Sequence, residues 1–434
     1  MKKLKWLKLV SFALLLVVLV ACGSDSTEGN DSEDGTKSGE DSGRPFEGET
    51  VTIGIWWGND AEEATLKELI EAFTEETGII VEPRTYTDYQ VQLQTELAGG
   101  TAPDVFYVEA MLAPTFIEQG VIENLDNFIA DTNGFNVNDF FTPALDAFSA
   151  DGAVYGLPKD LSTLGLIYNE RLLEDAGFTG EDIPTVMSEL PAFLRELDAA
   201  LPDDVVAGLT SSELSRHLFA LQTSETDVID VDGNVSFTEE GQLDYLEMLV
   251  DLYEDGIVQR AADLGHGWSG DAFGLEDAAI MIEGNWVFGH LEANFADVEF
   301  GTIELPTMNG ENGSMMFTVA WGMNAASDNQ GAAWEFINFV TGEEGMTLWA
   351  DGAIQIPSRA SSAQALDLDS NDILAPFVAA ADYATPWQSG TALPIVMDEY
   401  NNFIVAALSG EMTLAEAMQE AQRVANDRVE THMQ

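Results

Sequence analysis

The sequence predicts an α/β protein of two lobes, each a mainly parallel sheet flanked by helices. Short β-rich apolar runs alternate with longer amphipathic runs, and this order is typical of βαβ units with a parallel sheet. About 390 residues follow position 44, and 46% of the chain is apolar. A chain of this size and composition can bury two sizeable cores, which predicts two lobes rather than one.

The first βα unit carries the clearest pattern. Residues 51–56 alternate and are rich in β-formers, which predicts a strand. Residues 60–77 follow with apolar side chains at helical spacing, namely Leu66, Leu69, Ile70 and Phe73. Asp60 and Glu63 predict a capping box at the start of this helix, and Gly78 predicts its end.

The same texture continues along the chain. Further strands are predicted at 79–82, 104–108, 165–168, 278–282 and 317–324. Further helices are predicted at 89–98, 243–253, 332–340 and 413–429. The last helix begins with a second capping box, formed by Thr413 and Glu416.

The first 21 residues have the composition of a secretory signal. Four lysines precede the apolar run 9–20, and this run is too short for a stable membrane-spanning helix. The only cysteine of the sequence, Cys22, follows this run and has no partner for a disulfide in its own chain. The segment LVAC at 19–22 resembles the bacterial lipobox, which implies cleavage before Cys22 and lipidation of its sulfur. An ordinary cysteine in a leader cut elsewhere is the alternative.

The segment after Cys22 is predicted to be an acidic, disordered tether over 22–44. Between residues 23 and 43 there are seven acids, five serines and five glycines. These side chains bury too little apolar area to offset the entropy lost on ordering the chain. We therefore expect the folded body to begin near residue 45.

The charge of the chain excludes nucleic acid as a partner. The formal net charge is −61, and it becomes −65 without the first 21 residues, which hold four lysines and no acid. Binding to phosphates needs clustered cations, which this sequence lacks. A cationic ligand is one interpretation of the acidity. A solvated acidic surface suited to high salt is the favoured one, because the acids are spread along the whole chain.

Eight segments, taken in order, resemble the extracellular solute-binding proteins of carbohydrate ABC importers, the group that includes maltose-binding protein. They are WWGND at 56–60, GTAPDVFYVE at 100–109, YGLPKDLSTLGLIYNERLLEDAG at 155–177, AAIMIEGNWVFGHL at 278–291, FGTIELPTMNG at 300–310, AWGMNAAS at 320–327, FINFVTGEEG at 336–345 and IPSR at 356–359.

The resemblance implies a class II periplasmic-binding-protein-like fold with a ligand cleft at the hinge between the lobes. Lobe one would be 45–159 with 316–361, lobe two 165–311 with 368–434, and the hinge 160–164, 312–315 and 362–367. It also implies a monomer without cofactor or catalysis, held outside the cell by the lipid on Cys22. Its partners would be a carbohydrate, a two-subunit permease and a cytoplasmic ATPase.

The candidate ligand residues lie just past predicted strands, where open α/β sheets bind ligands. Indoles suit the apolar face of a pyranose, and polar side chains suit its hydroxyls. The candidates are Trp57, Asp60, Glu109, Asp160, Ser162, Trp268, Trp286, Trp321 and Trp387. The match to GNW favours ligand stacking for Trp286 most clearly. Lys159 and Arg359 are assigned to the hinge or to the ligand.

Several alternatives stay open at this point. Any one indole could lie in a core, and Asp60 could serve only as a helix cap. Val108 and Met397 stand where maltose-binding protein has stacking aromatics, so the resemblance implies the carbohydrate class and not maltose. A secreted glycoside hydrolase, or a binding protein for a polyamine or osmolyte, would share many of these features. The four histidines lack metal-ligand spacing, so no metal site is predicted.

We expect salt to stabilise this protein strongly. At about 1 M salt the Debye length is roughly 3 Å, so repulsion among the acids is largely screened. Thermal unfolding followed from dilute buffer to molar NaCl should show a steep rise of the midpoint. A flat or falling midpoint would mean that the acids are already paired or metal-bound.

Overall fold

The computed structural model describes residues 44–223, 227–230, 233–308 and 310–432. The predicted signal segment, Cys22 and nearly all of the predicted tether lie outside the described residues. Among the helices of the described part, none is long and apolar enough to cross a membrane.

The described residues form twelve strands. They are β1 Thr50–Ile55, β2 Ile80–Thr85, β3 Val105–Glu109, β4 Ser149–Ala150, β5 Ala153–Val154, β6 Gly156–Asn169, β7 Val206–Thr210, β8 Val258–Arg260, β9 Ala278–Gly284, β10 Phe300–Ile303, β11 Met315–Met323 and β12 Thr385–Pro386.

Seventeen α-helices accompany these strands in the described part of the chain. They are α1 Asp60–Thr77, α2 Tyr89–Gly99, α3 Ala113–Glu118, α4 Asp126–Asp131, α5 Thr142–Asp146, α6 Glu170–Ala176, α7 Leu190–Asp198, α8 Leu214–Gln222, α9 Glu240–Glu254, α10 Ser269–Gly274, α11 Val287–Asn294, α12 Gln330–Thr341, α13 Glu343–Ala353, α14 Ala360–Ala365, α15 Ala375–Ala380, α16 Leu393–Leu408 and α17 Leu414–His432.

The strands are hydrogen-bonded in the order β2-β1-β3-β11-β6-β9-β7-β8, with β10 also paired to β6 and β12 to β11. At one end, β1 is parallel to β2 and β3; at the other end, β7 is parallel to β8 and β9. The strands between them, β11 and β6, are antiparallel to their neighbours β3 and β9. This is the predicted α/β arrangement of two lobes, joined through two antiparallel strands.

Strand β6 connects the two lobes. Its residues 156–163 pair with β11, and its residues 164–168 pair with β9. The change of partner falls within the predicted crossing 160–164. The sequence predicted only 165–168 of this strand, because polar residues such as Lys159, Asp160 and Ser162 interrupt the apolar pattern of its first half. Those polar residues are the ones that reach the boundary between the lobes.

The helix caps confirm one prediction and correct another. At the start of α17, Thr413 and Glu416 exchange hydrogen bonds of 3.3 Å in both directions, as the capping box predicted. At the start of α1 the cap is Asn59, whose Oδ1 accepts from the backbone N–H of Glu62 at 3.0 Å. The predicted Asp60–Glu63 box is therefore wrong by one residue, because Asn59 already supplies the capping oxygen.

Candidate ligand-binding cleft

A cavity of about 680 Å³ lies where β6 and β11 join the two lobes. We call it the cleft. Seven of the candidate residues line it, namely Glu109, Lys159, Asp160, Ser162, Trp268, Trp286 and Trp387. A volume of this size is within the range of about 300–1,000 Å³ typical of small-molecule sites. The fold thus brings together predicted residues from five separate stretches of the chain.

Hydrogen bonds join the two lobes at two places near the cleft. In the first, Asn59 Nδ2 at the start of α1 donates to the carbonyl oxygen of Trp286 at 3.3 Å. In the second, Gln388 Nε2 donates to the carbonyl oxygens of Ala110 at 2.8 Å and Ala147 at 2.6 Å. These contacts join segments that the sequence predicts to belong to different lobes.

The wall from lobe two is organised by residues 283–286 at the end of β9. Glu283 is buried and accepts from Arg216, with Nε–Oε1 at 2.9 Å and the other guanidinium nitrogen at 2.8 Å. The guanidinium carbon of Arg216 lies 5.0 Å from the centroid of the Trp286 ring. Phe317 meets the same indole edge-on, with centroids 5.3 Å apart. Trp286 is therefore held by a cation and a second aromatic ring, both of which also line the cleft.

Asn285 ties this wall to the hinge. Its side chain is fully buried, its Oδ1 accepts from the backbone N–H of Thr163 on β6 at 3.2 Å, and its Nδ2 donates to Gln355 Oε1 at 3.1 Å. Gln355 follows α13 and also accepts from the hydroxyl of Ser162 at 3.3 Å. Thr163 in turn donates through its hydroxyl to the carbonyl of Phe377 at 2.7 Å. One buried amide thus links a cleft wall of lobe two to the crossing strand β6 and to the residues that follow α13 in lobe one.

Trp268 forms a second aromatic surface of the cleft. The ring of His290 meets it edge-on at a centroid distance of 4.8 Å, and Asp271 contacts His290 Nε2 at 3.1 Å. Trp387 lies deeper and is buried, with its Nε1 donating to Met111 Sδ at 3.2 Å. Together with Trp56 of lobe one, the cleft is therefore lined by indoles from four different segments.

The wall from lobe one is acidic. Glu109 ends β3, accepts from Gln90 Nε2 at 2.8 Å, and has a pKa raised by burial. Burial also raises the pKa of Glu62, against the opposing effect of the Lys159 charge. Hydrogen bonds donated to a carboxylate favour its charged form. Hydroxyl donors from a ligand would therefore offset part of the free-energy cost of keeping these two carboxylates ionised.

Lys159 and Asp160 form a buried ion pair at the hinge. Asp160 also accepts from Trp349 Nε1 at 2.9 Å, and the Lys159 ammonium lies 4.3 Å from the centroid of the same indole. The ring of Tyr107 is the next aromatic neighbour of this ammonium, at 5.2 Å. Both members of the pair have partners inside lobe one and also border the cleft.

Four candidates do not line the cleft. Trp321 is 2% exposed and packs in the lobe-one core against Tyr107 at 4.5 Å and Phe336 at 5.2 Å. It lies beyond the end of β11 that borders the cleft, where α12 covers the sheet, so the structure corrects its assignment to a ligand. Trp57 packs against the lobe-one core, and Trp56 lines the cleft instead.

The other two also lie outside the cleft lining. Asp60 is exposed at the first position of α1. Arg359 is 3% exposed; it donates to the carbonyl oxygens of Thr341 and Asn136 and pairs with Asp139 at 3.2 Å. Of the two roles left open for Arg359, the structure therefore favours the structural one.

Sequence reasoning missed part of the cleft. Further lining residues are Glu62, Gln90, Glu213, Ser215, Arg216, Phe317, Gln355 and Asn401. Arg216 follows β7, a short glycine-containing strand that the pattern did not identify; recognising it would have put Arg216 among the residues past a strand end. Gln355 had no such signal, because it follows Ile354, which has a left-handed conformation at φ 54°. Among the described residues, no group of three His, Cys, Asp or Glu side chains could hold a metal ion.

Comparison with known families settles the class of this protein. A family model described as bacterial extracellular solute-binding protein matches residues 68–376, more than half of the chain. The chain belongs to this family. The maltodextrin-binding protein of Bacillus subtilis is 21% identical over 443 residues, which cover 98% of this chain and 97% of that relative.

Other relatives are matched over shorter stretches. The lactose-binding protein of Rhizobium radiobacter is 24% identical over 299 residues, covering 67% of this chain and 66% of the relative. A putative binding protein of Brucella abortus is 23% identical over 255 residues, covering 57% of this chain and 61% of the relative, so that match spans less than two thirds of its length.

Solved structures show the same fold. An ABC substrate-binding protein from Listeria monocytogenes in complex with cycloalternan superposes with a TM-score of 0.79 at 22% identity, covering 88% of this chain and 98% of that one. The GacH receptor of Streptomyces glaucescens, solved unliganded and with acarbose, gives 0.78 at 21% identity, covering 88% and 99%.

Replacing Arg359 tests its structural role. We expect Arg359→Met to lower the free energy of unfolding by about 3 kcal/mol, because it leaves Asp139 without its cation. The affinity for any ligand of the cleft should not change. The matched control is Arg359→Met combined with Asp139→Asn, which should recover part of the loss. An affinity loss at unchanged stability would instead place Arg359 in the ligand site.

The same pair predicts a pH dependence. Although burial opposes it, hydrogen bonds from Ser361 and Arg359 hold the pKa of Asp139 below its ordinary value. The stability that Asp139 contributes is therefore full above its unfolded pKa of about 3.9, and is lost as the pH falls through its folded pKa. Chemical denaturation of wild type and Arg359→Met at neutral and acid pH should show their difference shrinking in acid. A difference that stays constant would contradict this role of the pair.

Proposed function

We propose that this chain is the substrate-binding subunit of an ABC importer that captures a sugar or oligosaccharide outside the cell. The observation that carries the proposal is the cleft, which is lined both by the indoles of Trp268 and Trp286 and by carboxylate and amide side chains. Pyranose rings stack through their C–H faces on indoles, while their hydroxyls need planar acceptors and donors. In this proposal Glu109, Asp160, Ser162 and Trp387 complete the ligand contacts.

Delivery would depend on closure of the hinge. A ligand that contacts both walls favours the closed form, and the closed form docks on a two-subunit permease driven by a cytoplasmic ATPase. In this proposal the lobes are 45–159 with 316–361, and 165–311 with 368–434. Lys159 then has a double role, because its pair with Asp160 fixes the hinge beside the ligand.

The same proposal includes a lipid anchor. Residues 1–21 would be the signal peptide, Cys22 the lipidated residue and 22–44 the tether, which places the protein at the outer face of the cell membrane. The monomer state belongs to this proposal as well. The lipid anchor is supported by the resemblance of residues 19–22 to a lipobox and by the family to which the chain belongs.

Relatives favour a sugar over other solutes. They include proteins named as binding proteins for lactose, galactooligosaccharide, maltodextrin and arabinooligosaccharide. One relative, from Mycolicibacterium smegmatis, is named as an erythritol- and L-threitol-binding protein. An acyclic polyol has no ring face to stack on an indole, so it makes an informative contrast. We propose no catalysis, because the matched family is a family of binding proteins.

A ligand screen tests the proposal. The full chain in high salt should be melted with lactose, maltotriose, mannotriose, an arabinooligosaccharide, erythritol, spermidine and glycine betaine. A ligand at a hundredfold excess over its Kd stabilises by about 2.7 kcal/mol, so binding raises the melting temperature. We expect a pyranose sugar to do so and to remain intact. Stabilisation by spermidine or betaine alone, or hydrolysis of the sugar, would contradict the proposal.

The role of Trp286 can be tested with Trp321 as its matched control. Trp286→Ala should weaken sugar binding tenfold or more, which corresponds to about 1.4 kcal/mol, and should change the ligand-free melting temperature little. Trp321→Ala should do the reverse, since a buried Trp→Ala change costs about 3–5 kcal/mol of stability. Both quantities should be measured on both variants by calorimetry. A large stability loss with unchanged affinity in Trp286→Ala would remove this indole from the site.

The anchor has its own test. We expect Cys22→Ala to leave the unfolding midpoint and the ligand affinity unchanged while the protein moves from the membrane fraction to the soluble fraction. The measurement is fractionation of cells that express wild type and variant. Retention of Cys22→Ala on the membrane would show that the sulfur of Cys22 carries no anchor.

A further inference from the structure

Two of the lobe-two indoles that line the cleft, those of Trp286 and Trp268, each lie against a glycine. Trp286 lies over Gly284, and a Cβ built on this glycine would be 2.2 Å from Cζ3 of the ring. Trp268 lies over Gly270, where a Cβ would be 2.4 Å from Cζ2 of the ring. Each ring therefore lies against the backbone of a residue two positions away, in space that any side chain would fill.

Each glycine also has a carboxylate as its neighbour in sequence. Glu283 precedes Gly284 and holds Arg216, whose guanidinium lies beside the Trp286 ring. Asp271 follows Gly270 and contacts His290, whose ring meets Trp268 edge-on. The same arrangement therefore occurs at two places, the end of strand β9 and the first turn of helix α10. At each place an indole lies against a glycine, and a side chain that is bound to a carboxylate contacts the indole.

We propose that Gly284 and Gly270 are the residues that set the position of the two stacking surfaces in the cleft. The glycine leaves room for the indole to lie flat against the main chain, and the acid-held side chain beside the ring keeps it there. The rings are then fixed before ligand arrives, which reduces the conformational entropy lost on binding. This proposal rests on the proposed function, since it names what positions the surfaces for a sugar ring.

The backbone does not require glycine at either position. Neither Gly270 nor Gly284 has a positive φ, whereas thirteen other glycines in the described residues do. Alanine is therefore compatible with the local main chain, and in a helix it is even favoured by about 1 kcal/mol. The three atoms nearest to a Cβ at each position all belong to the indole ring, so we expect a substitution to act first on the ring.

Gly301 provides a matched control. It also lies in a strand of lobe two, and a Cβ there would be 2.2 Å from the hydroxyl oxygen of Tyr168 and 2.3 Å from Cζ. Neither Gly301 nor Tyr168 lines the cleft. Gly301→Ala thus introduces the same kind of clash with an aromatic ring, but away from the cleft.

The first experiment needs no ligand. Full-length protein labelled with 5-fluorotryptophan gives one ¹⁹F resonance per tryptophan, and Trp286→Phe and Trp268→Phe assign the two of interest. We expect Gly284→Ala to shift the Trp286 resonance, Gly270→Ala to shift the Trp268 resonance, and Gly301→Ala to shift neither. Unshifted resonances in both glycine variants overturn the proposal, whether or not any sugar binds.

The second experiment measures affinity for the sugar from the panel that stabilises wild type, with maltotriose, lactose and mannotriose as the first probes. Gly284→Ala should weaken binding tenfold or more, while Gly301→Ala should bind as wild type does. On a Trp286→Ala background, Gly284→Ala should cause no further loss, because the atoms that the Cβ meets are gone.

The outcomes separate this proposal from the proposed function. If the ¹⁹F resonances shift and no probe sugar binds, the seating of the indoles stands and the sugar-binding function fails. If sugar binds equally well to wild type and to both glycine variants, the positioning role fails and the function stands. A loss that persists on the Trp286→Ala background, or an equal loss in Gly301→Ala, also overturns the positioning role.

Discussion

The buried amide of Asn285 is the contact on which the geometry of the cleft depends. It accepts from the main chain of Thr163 in the crossing strand β6 and donates to Gln355 in the return from α13. A buried amide that loses one partner costs about 1–3 kcal/mol, so these bonds hold the end of β9 firmly against the hinge. Since Trp286 is the next residue, the same bonds fix where its indole can lie.

The scarcity of cations makes the positions of the few that exist informative. Against 77 acids the sequence has 16 lysines and arginines. Three of them, Lys159, Arg216 and Arg359, have side chains that are less than one fifth exposed, and each pairs with a carboxylate. Two of these pairs border the cleft and the third holds the segments 136–139 and 359–361 together. The other charged side chains of the sequence are mostly acids.

The sequence predicts the regular part of this fold well and the polar part poorly. Helix α1 has the bounds that the pattern gave, because its apolar spacing and its terminal Gly78 are local signals. The first half of β6 was not predicted, because its side chains do not alternate between apolar and polar. They are chosen by contacts with other segments of the chain. The long strand is nevertheless what carries the chain from one lobe to the other.

The candidate site follows the same division. The rule that ligand residues follow strand ends correctly placed Glu109 and Trp286 at the cleft, since strand ends can be predicted from local patterns. The same rule wrongly assigned Trp321 to the ligand. The sequence does not show that helix α12 packs over this end of strand β11 and buries the indole. Arg216 and Gln355 were missed because their roles come from distant partners, Glu283 and Asn285. What the sequence leaves out is therefore the tertiary pairing of polar side chains.

The central claim is that a sugar binds in the cleft against the indoles of lobe two. The most direct measurement is a crystal structure of the protein with whichever sugar stabilises it. We predict a pyranose ring in van der Waals contact with the indole of Trp286 or Trp268, on the side away from its glycine, with hydroxyls donating to carboxylates of the opposite wall. A sugar bound in the separate apolar cavity lined by Phe288, Phe300 and Leu374, or one in the cleft that touches neither indole, would contradict it.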